Sequence, residues 1–212
     1  MIELVFPIGA GLIAYGAYGL LNAPKALPSC PLEMSFIPFS MHFINVRAVA
    51  TKQEWDQLKS FVHKHSKNGS SSCQICKQSG RSQGFAWSLE CHEQWSFNWD
   101  TRTMKLTGLM SLCPYCHKAI HYFRTKKMEK KIFAKVQAHA MQVNQIDDQT
   151  LNKYVLNALK FSKAMSGFSF KTFSRQWKMD LTLLNDPKYG HIFLTRRFKN
   201  DERKNCRTNE IH

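Results

Sequence analysis

A chain of 212 residues is long enough for one ordinary domain, or one small domain with appendages, and can bury a core without disulfide staples. Its hydrophobic fraction of 43% and aromatic fraction of 12% exclude a disordered chain. Thirty Lys and Arg against fifteen Asp and Glu leave a formal charge of +15, which points to a polyanionic partner, either nucleic acid or an anionic membrane face. Most of the surplus lies late in the chain, since residues 122–212 hold nineteen basic and eight acidic side chains.

Residues 4–21 (LVFPIGAGLIAYGAYGLL) carry no charge. A helix of that length would rise roughly 27 Å, about one hydrocarbon core. Pro7 and the glycines 9, 11, 16 and 19 weaken a soluble helix but are tolerated in membranes, and Tyr15 and Tyr18 suit an interface. Glu3 before the run and Lys25 after it favour an N-out anchor over residues 1–24, with the rest of the chain at the cytoplasmic face of the inner membrane. The alternatives are a buried helix of a soluble cytoplasmic protein, or an upstream extension that is not translated, Met34 and Met41 being internal starts. Pro24 spoils the best cleavage site of a signal peptide. Residues 25–40 read as a proline-rich linker, with Pro28, Pro31 and Pro38 denying the backbone its helical bonds and Cys30 an incidental thiol.

The β-branched stretch 42–49 (HFINVRAV) predicts a short strand. Thr51-Lys52-Gln53-Glu54 is a capping box, and Trp55, Leu58 and Val62 line one face of a helix to about residue 65. A loop at 66–72 leads to Cys73-Gln74-Ile75-Cys76, and Cys113-Pro114-Tyr115-Cys116 repeats that spacing. Two C-x-x-C knuckles hold one tetrahedral zinc, since each offers two thiolates from a tight turn; seven cysteines in all, an odd number, argue against a disulfide framework. The gap between the knuckles predicts a β-hairpin, and thiolate ligands imply a reducing compartment.

Beyond the second knuckle, Ile132, Phe133, Val136 and Met141 mark a helix over 131–143. Asp148 caps a second helix with a stripe of Leu151, Tyr154, Val155, Ala158, Leu159 and Met165, ending at Ser166-Gly167. A third helix is expected to carry Phe173, Trp177, Leu181 and Leu184, before a polar, basic tail over 191–212. These apolar stripes read as core. His63, His65, His139 and His191 belong to no constellation.

Chemistry concentrates between and after the knuckles. Leu89-Glu90-Cys91-His92-Glu93-Gln94-Trp95 precedes Cys113-Pro114-Tyr115-Cys116-His117-Lys118-Ala119-Ile120-His121. Pro114 fits the first turn of a helix, on which His117 and His121, four residues apart, project from one face as a metal-binding pair. A His-bearing strand, a turn, a knuckle and a His-bearing helix make a strand–strand–helix unit with zinc at its base. His92 beside Cys91 also reads as a ligand of a purely structural zinc site. Lys126, Lys127, Lys130 and Lys131 follow at once; a solvated helix face is the ordinary reading of such a run, but its position favours salt-dependent, non-specific contacts to a DNA backbone.

These segments resemble the HNH endonuclease superfamily, in particular a bacterial and phage branch marked by ECHE-x-W and LCP-x-CH-x-x-x-H. The resemblance runs from about residue 41 to 190, through CQIC, LECHEQW, LTGLMSLCPYCHKAIH, the Val143-Asn144-Gln145 segment, RQWKMDLTLL and Tyr189-Gly190. It implies an α+β fold: a zinc-stabilised treble-clef, ββα-metal core over 41–122 with flanking α-helices over 123–190, the N-terminal transmembrane helix expected from residues 4–21 lying outside the resemblance. It implies a metal-dependent DNA endonuclease in which His92 is the general base and a divalent ion, Mg²⁺ or another, is bound by Cys91, His117 and His121, with Glu90 and Glu93 as oxygen alternatives. The family's middle Asn falls at Gly108, which has no side chain to orient a base, and a thiolate at Cys91 prefers zinc to magnesium. A catalytically silent zinc module that binds DNA or protein is therefore the alternative, and a membrane-associated assembly factor with a structural zinc a third.

Overall fold

The computed structural model describes residues 30–34, 45–98, 101, 103–166, 178–194 and 197–198. The chain is a mixed α+β protein, with a three-stranded sheet among the described residues. Helix α1 (Lys52–Lys64) begins at the expected capping box, where the Thr51 hydroxyl accepts from Glu54 N–H at 3.1 Å and the Glu54 carboxylate accepts from Thr51 N–H at 2.7 Å. Strands β1 (Glu90–Asn98) and β2 (Thr103–Leu112) form the antiparallel hairpin expected between the knuckles. Short helices α2 (Pro114–Ile120) and α3 (Tyr122–Thr125) follow, then α4 (Lys130–Asn144) and α5 (Asp148–Ser166), within one residue of the boundaries that the apolar periodicity predicts. Strand β3 (Lys178–Asp180) pairs parallel to the start of β2.

Two apolar clusters form the core. In the first, Trp55, Leu58 and Val62 of α1 meet Phe97, Met104 and Leu106 of the hairpin and Met179 of β3. In the second, Met110 and Leu112 of β2 meet Cys73, Cys113 and Cys116, with Ala119 and Ile120 of α2, Val136 and Ala140 of α4, and Leu151 of α5. One residue decides the division. Gln94 pairs with Gly108 but Trp95 with Leu106, so Thr107 is an extra residue in β2. Because side chains alternate with a period of two, that bulge turns the even-numbered apolar residues from the first cluster to the second. Gly108 lies beside it, and the Gln94 carboxamide fills the space a side chain there would take, with Oε1 2.5 Å from where a Cβ would stand.

Several expectations are corrected. Val46–Ala48 is a 3-10 turn, not a strand, its N–H groups satisfied by Asn45 and Glu93 side chains; residues 42–44 lie outside the described residues. The third helix is absent over its described part: Lys178–Asp180 is a strand and Thr182–Asn185 a 3-10 turn. Asp180 causes the break, its carboxylate accepting from the Thr182 N–H (2.9 Å) and hydroxyl (2.6 Å), a local arrangement that competes with helix. Residues 191–198 are not wholly tail, for Ile192, Phe193 and Phe198 are buried in the first cluster and the Asn185 side chain pairs with both backbone groups of Phe198. Cys30 and Leu32 are likewise buried, with Cys30 Sγ 3.0 Å from the Tyr154 hydroxyl and the Asn144 carboxamide clasping Leu32 N–H and C=O. Among the described residues no helix is long and apolar enough to cross a membrane; the expected anchor at 4–21 lies outside them.

Candidate metal centres

Cys73, Cys76, Cys113 and Cys116 converge, their sulfurs all within 4.8 Å of one another. None of the six described cysteines is in a disulfide. The second knuckle is built by its own helix start: Cys113 is the N-cap of α2, its sulfur accepting from Cys116 N–H at 3.4 Å, with Pro114 where the first turn needs no donor. The first knuckle turns back through Cys73 N–H to Gln78 C=O (2.9 Å) and Lys77 N–H to Cys73 C=O (3.1 Å), with Lys77 itself at φ +66°. Four thiols this close cannot ionise independently. Hydrogen bonds from Cys116, Cys73 and Cys76 pull the Cys113 thiol far down, while sharing with Cys113 first pushes Cys116 far up. A dication stabilises all four thiolates together, and a buried tetrahedral S₄ set suits zinc.

His139 and Gln83 complete this site. His139 on α4 places Nε2 3.2 Å from Cys116 Sγ, and Gln83 Nε2 donates to Cys113 Sγ at 3.1 Å. Donors to sulfur spread the charge of a tetrathiolate, and His139 also ties α4 to the knuckle. In the sequence His139 belongs to no constellation. Its one signal is its place between Val136 and Ala140 on the buried stripe of α4; its partner lies 23 residues away.

The second cluster is His92, His117 and His121, with one ring nitrogen of each within 4.8 Å of the others. Ring centroids are 5.3 Å (His92–His117), 5.1 Å (His92–His121) and 4.8 Å (His117–His121) apart, all edge to face. His92 stands on β1, on the side of the sheet covered by α2. His121 ends α2, and the buried Thr125 hydroxyl, donating to Lys118 C=O at 2.7 Å, fastens the bend into α3. His117 Nδ1 is hydrogen-bonded to Glu90 Oε2. Burial acts to raise the Glu90 carboxyl, but the His117 bond, Lys118 Nζ at 3.7 Å and the Trp87 indole N–H at 3.0 Å hold it below the usual range. Glu90 is thus an ionised acceptor bonded to one ring nitrogen of His117, the arrangement in which a carboxylate orients an imidazole toward a metal ion. Burial, then His121 and His117, push His92 well down; burial, then His117 and Arg124, bring His121 to about 3. Two of the three rings are therefore neutral at neutral pH, as ligands must be.

The expected ion-binding set is not assembled as predicted. Cys91 and His92 are neighbours on a regular strand, so they face opposite sides. The Cys91 side chain packs against the first core cluster, where burial, then Glu93, pushes its thiol up to about 12. Glu93 is on that side too, accepting from Val46 N–H at 3.1 and 3.3 Å. Glu90 holds a ligand instead of standing among the three. His92, rather than Cys91, is the residue of this strand that joins His117 and His121 in a group able to hold a metal ion. Lys126, Lys127, Lys130 and Lys131 are all exposed, from the end of α3 to the first turn of α4. Comparison of the chain with protein-family models, with curated proteins and with solved structures gives no match. What the fold and the two clusters define is a protein with a buried tetracysteine site compatible with zinc, beside a more open tri-histidine site.

Proposed function

We propose that this chain is a metal-dependent phosphodiesterase of HNH type acting on DNA, with a treble-clef-like ββα core in which Cys73, Cys76, Cys113 and Cys116 hold a structural zinc and His92, His117 and His121 hold the catalytic ion. The observation that carries the reading is the convergence of three imidazoles, one oriented by a carboxylate, on the strand–strand–helix unit that follows the first knuckle. Three nitrogen ligands leave an open position, which distinguishes a catalytic site from a closed structural one. A divalent ion held there supplies a Lewis acid to a phosphodiester oxygen and acidifies water for attack at phosphorus. Imidazoles suit zinc, nickel or iron better than magnesium, so a transition ion replaces Mg²⁺ as the first choice.

The side chains do the rest. Glu90 fixes the tautomer and ring plane of His117. The burial of His92 and His121 keeps a proton from competing for their lone pairs. Arg124 and Arg47, both close enough to disfavour a charge on His121, favour an anion at the open position. His92 then acts as a ligand, not as the general base. Plasmid nicking tests this. Zinc-loaded full-length chain, supplied with Mn²⁺, Ni²⁺ or Zn²⁺, converts supercoiled DNA to open circles, and His92→Ala both abolishes nicking and lowers bound metal from two ions to one. Retention of two ions in that variant would return His92 to the role of base.

A second reading has its own observation. Cys91 is turned into the core, and Gly108 presents to the metal side only a notch filled by Gln94. A silent zinc module that binds DNA predicts a salt-dependent complex and no nicking with any of these ions.

A further inference from the structure

Beside the tri-histidine site lies an aromatic surface that the proposed reaction leaves unused. Trp87 is 47% exposed, one of four large apolar side chains so exposed among the described residues. Only one of the four is tied to the site: its indole N–H donates to Glu90 Oε1, and Glu90 Oε2 holds His117. Phe85 supports the indole from one side (centroids 5.3 Å apart) and is itself backed edge-on by Tyr115 at 5.3 Å. Lys118 Nζ sits 5.1 Å over the Phe85 ring and 3.7 Å from Glu90. The segment is pinned down, with Gly80 N–H donating to Ser88 C=O at 2.6 Å; a side chain at Gly80 would strike the Trp87 carbonyl and the Pro114 ring.

Trp87 is thus an exposed indole, held by a hydrogen bond, one carboxylate away from a histidine of the cluster, on a chain of charge +15. An indole exposed and oriented in this way offers a π-surface. We infer that Trp87 is the platform on which an unpaired base of a DNA strand stacks while the adjacent phosphate enters the tri-histidine site; this rests on the phosphodiesterase reading and names its substrate as single-stranded or locally unpaired DNA. A duplex keeps its base faces within its own stack, so only a flipped, frayed or unpaired base can use the indole. Charge complementarity with a chain of +15 favours a polyanion as the partner, and Arg124, exposed and close enough to act on His121, adds a cation on the histidine side.

The test is binding, read apart from cleavage. Zinc-loaded full-length chain is titrated by fluorescence anisotropy against a labelled single strand, the same strand as a duplex, and the same strand with abasic positions, at one fixed salt concentration. Trp87→Ala is expected to weaken the single strand roughly tenfold or more and the duplex by less than about twofold, with Trp87→Phe recovering most of the loss although it cannot bond Glu90. The abasic strand is expected to bind wild type and Trp87→Ala alike. Bound zinc, measured in each variant, is expected to be unchanged. Equal loss for single strand and duplex, or equal loss in Trp87→Phe and Trp87→Ala, would assign Trp87 to holding Glu90 and overturn the platform. Unchanged affinity in Trp87→Ala would overturn it too, as would a Trp87-dependent self-association that accounts for the exposed ring. The two readings fail separately: Trp87-dependent strand binding without nicking leaves the platform and removes the enzyme, and nicking untouched by Trp87→Ala does the reverse.

Discussion

The two ligand clusters share helix α2 and differ in almost everything else. The tetracysteine cluster closes on itself. Three of its four residues are buried, and its sulfurs take up side-chain donors from His139 and Gln83. The tri-histidine cluster buries His92 but leaves His117 and His121 partly exposed, and it spends a carboxylate on orienting one ring. A closed sulfur site resists exchange and organises the chain around it; an open nitrogen site binds less tightly and leaves room for a substrate. Adjacent residues of one helix, Cys116 and His117, therefore belong to different clusters, because neighbours on a helix point about a hundred degrees apart.

The largest effect that would break this contrast is loss of the first site. Cys116→Ser leaves three sulfurs and a weaker oxygen in a buried pocket. Structural zinc contributes on the order of 10–16 kcal/mol in small zinc domains, as much as a whole domain's stability, so the hairpin and α2 are expected not to fold. Circular dichroism and bound zinc check it. His92→Ala should leave the fold standing, with Tm lower by roughly 2–8 °C, and should remove only the second ion. A chelator should likewise strip the tri-histidine site while the tetracysteine site persists. If both ions leave together, the sites are not distinct in kind.

Glu90→Gln sharpens the comparison at one side chain. The amide can still accept from Trp87 but no longer charges the His117 bond, and metal affinity at the second site should fall about 10- to 100-fold, with the first unaffected. Titration with Co²⁺ followed by absorption resolves the two. Acid should act on stability as well. His92 and His121 have pKa values depressed below 6.5, so their contribution to stability is present above about 6.5 and lost as pH falls from there toward 3, and Tm is expected to fall over that range.

The opposite face of the sheet carries the opposite slope. Burial raises the Glu93 carboxyl to about 7. A raised carboxyl favours the folded state below about 4.5, and that advantage is lost as pH rises through 7. Glu93→Gln keeps an acceptor for Val46 N–H and removes the charge. Its Tm should exceed that of the wild type by a few degrees at pH 8, with the difference gone by about pH 4.5. Thermal melts at the two pH values decide it.

Much of the site was legible because its cause is local. The capping box at Thr51, the proline at the first turn of α2, the two knuckles and the four-residue spacing of His117 and His121 act within a few residues. The assignment of Cys91 as a ligand failed against an equally local rule: on a strand, Cys91 and His92 cannot both face α2. What stayed hidden depends on distant chain. His139 meets Cys116 only because α4 packs on α2, and Asn144 clasps Leu32 across 112 residues. The stripe at Leu181 and Leu184 fits a helical period, but Asp180 captures Thr182 and β2 offers Lys178–Asp180 a strand partner. The bulge at Thr107 has no signature except the Gly108 beside it, and Ile192, Phe193 and Phe198 are too few, and too close to charged residues, to mark an element by period.

The smallest expected effects separate the two regions by charge rather than by metal. Lys126, Lys127, Lys130 and Lys131 are exposed and touch neither cluster's sulfur or nitrogen ligands. Replacing any one by Ala should leave Tm within about half a degree to two degrees of the wild type, since exposed surface changes rarely exceed about 0.5 kcal/mol. If the run follows a DNA backbone, each replacement should weaken binding modestly and equally for all sequences, and reduce the slope of log affinity against log salt by about one. A slope that does not change would return the run to a solvated face and leave the electrostatic footprint to other cations, Arg47, Lys118 and Arg124 near the histidines among them. Affinity measured at several salt concentrations distinguishes the two outcomes without any need for cleavage.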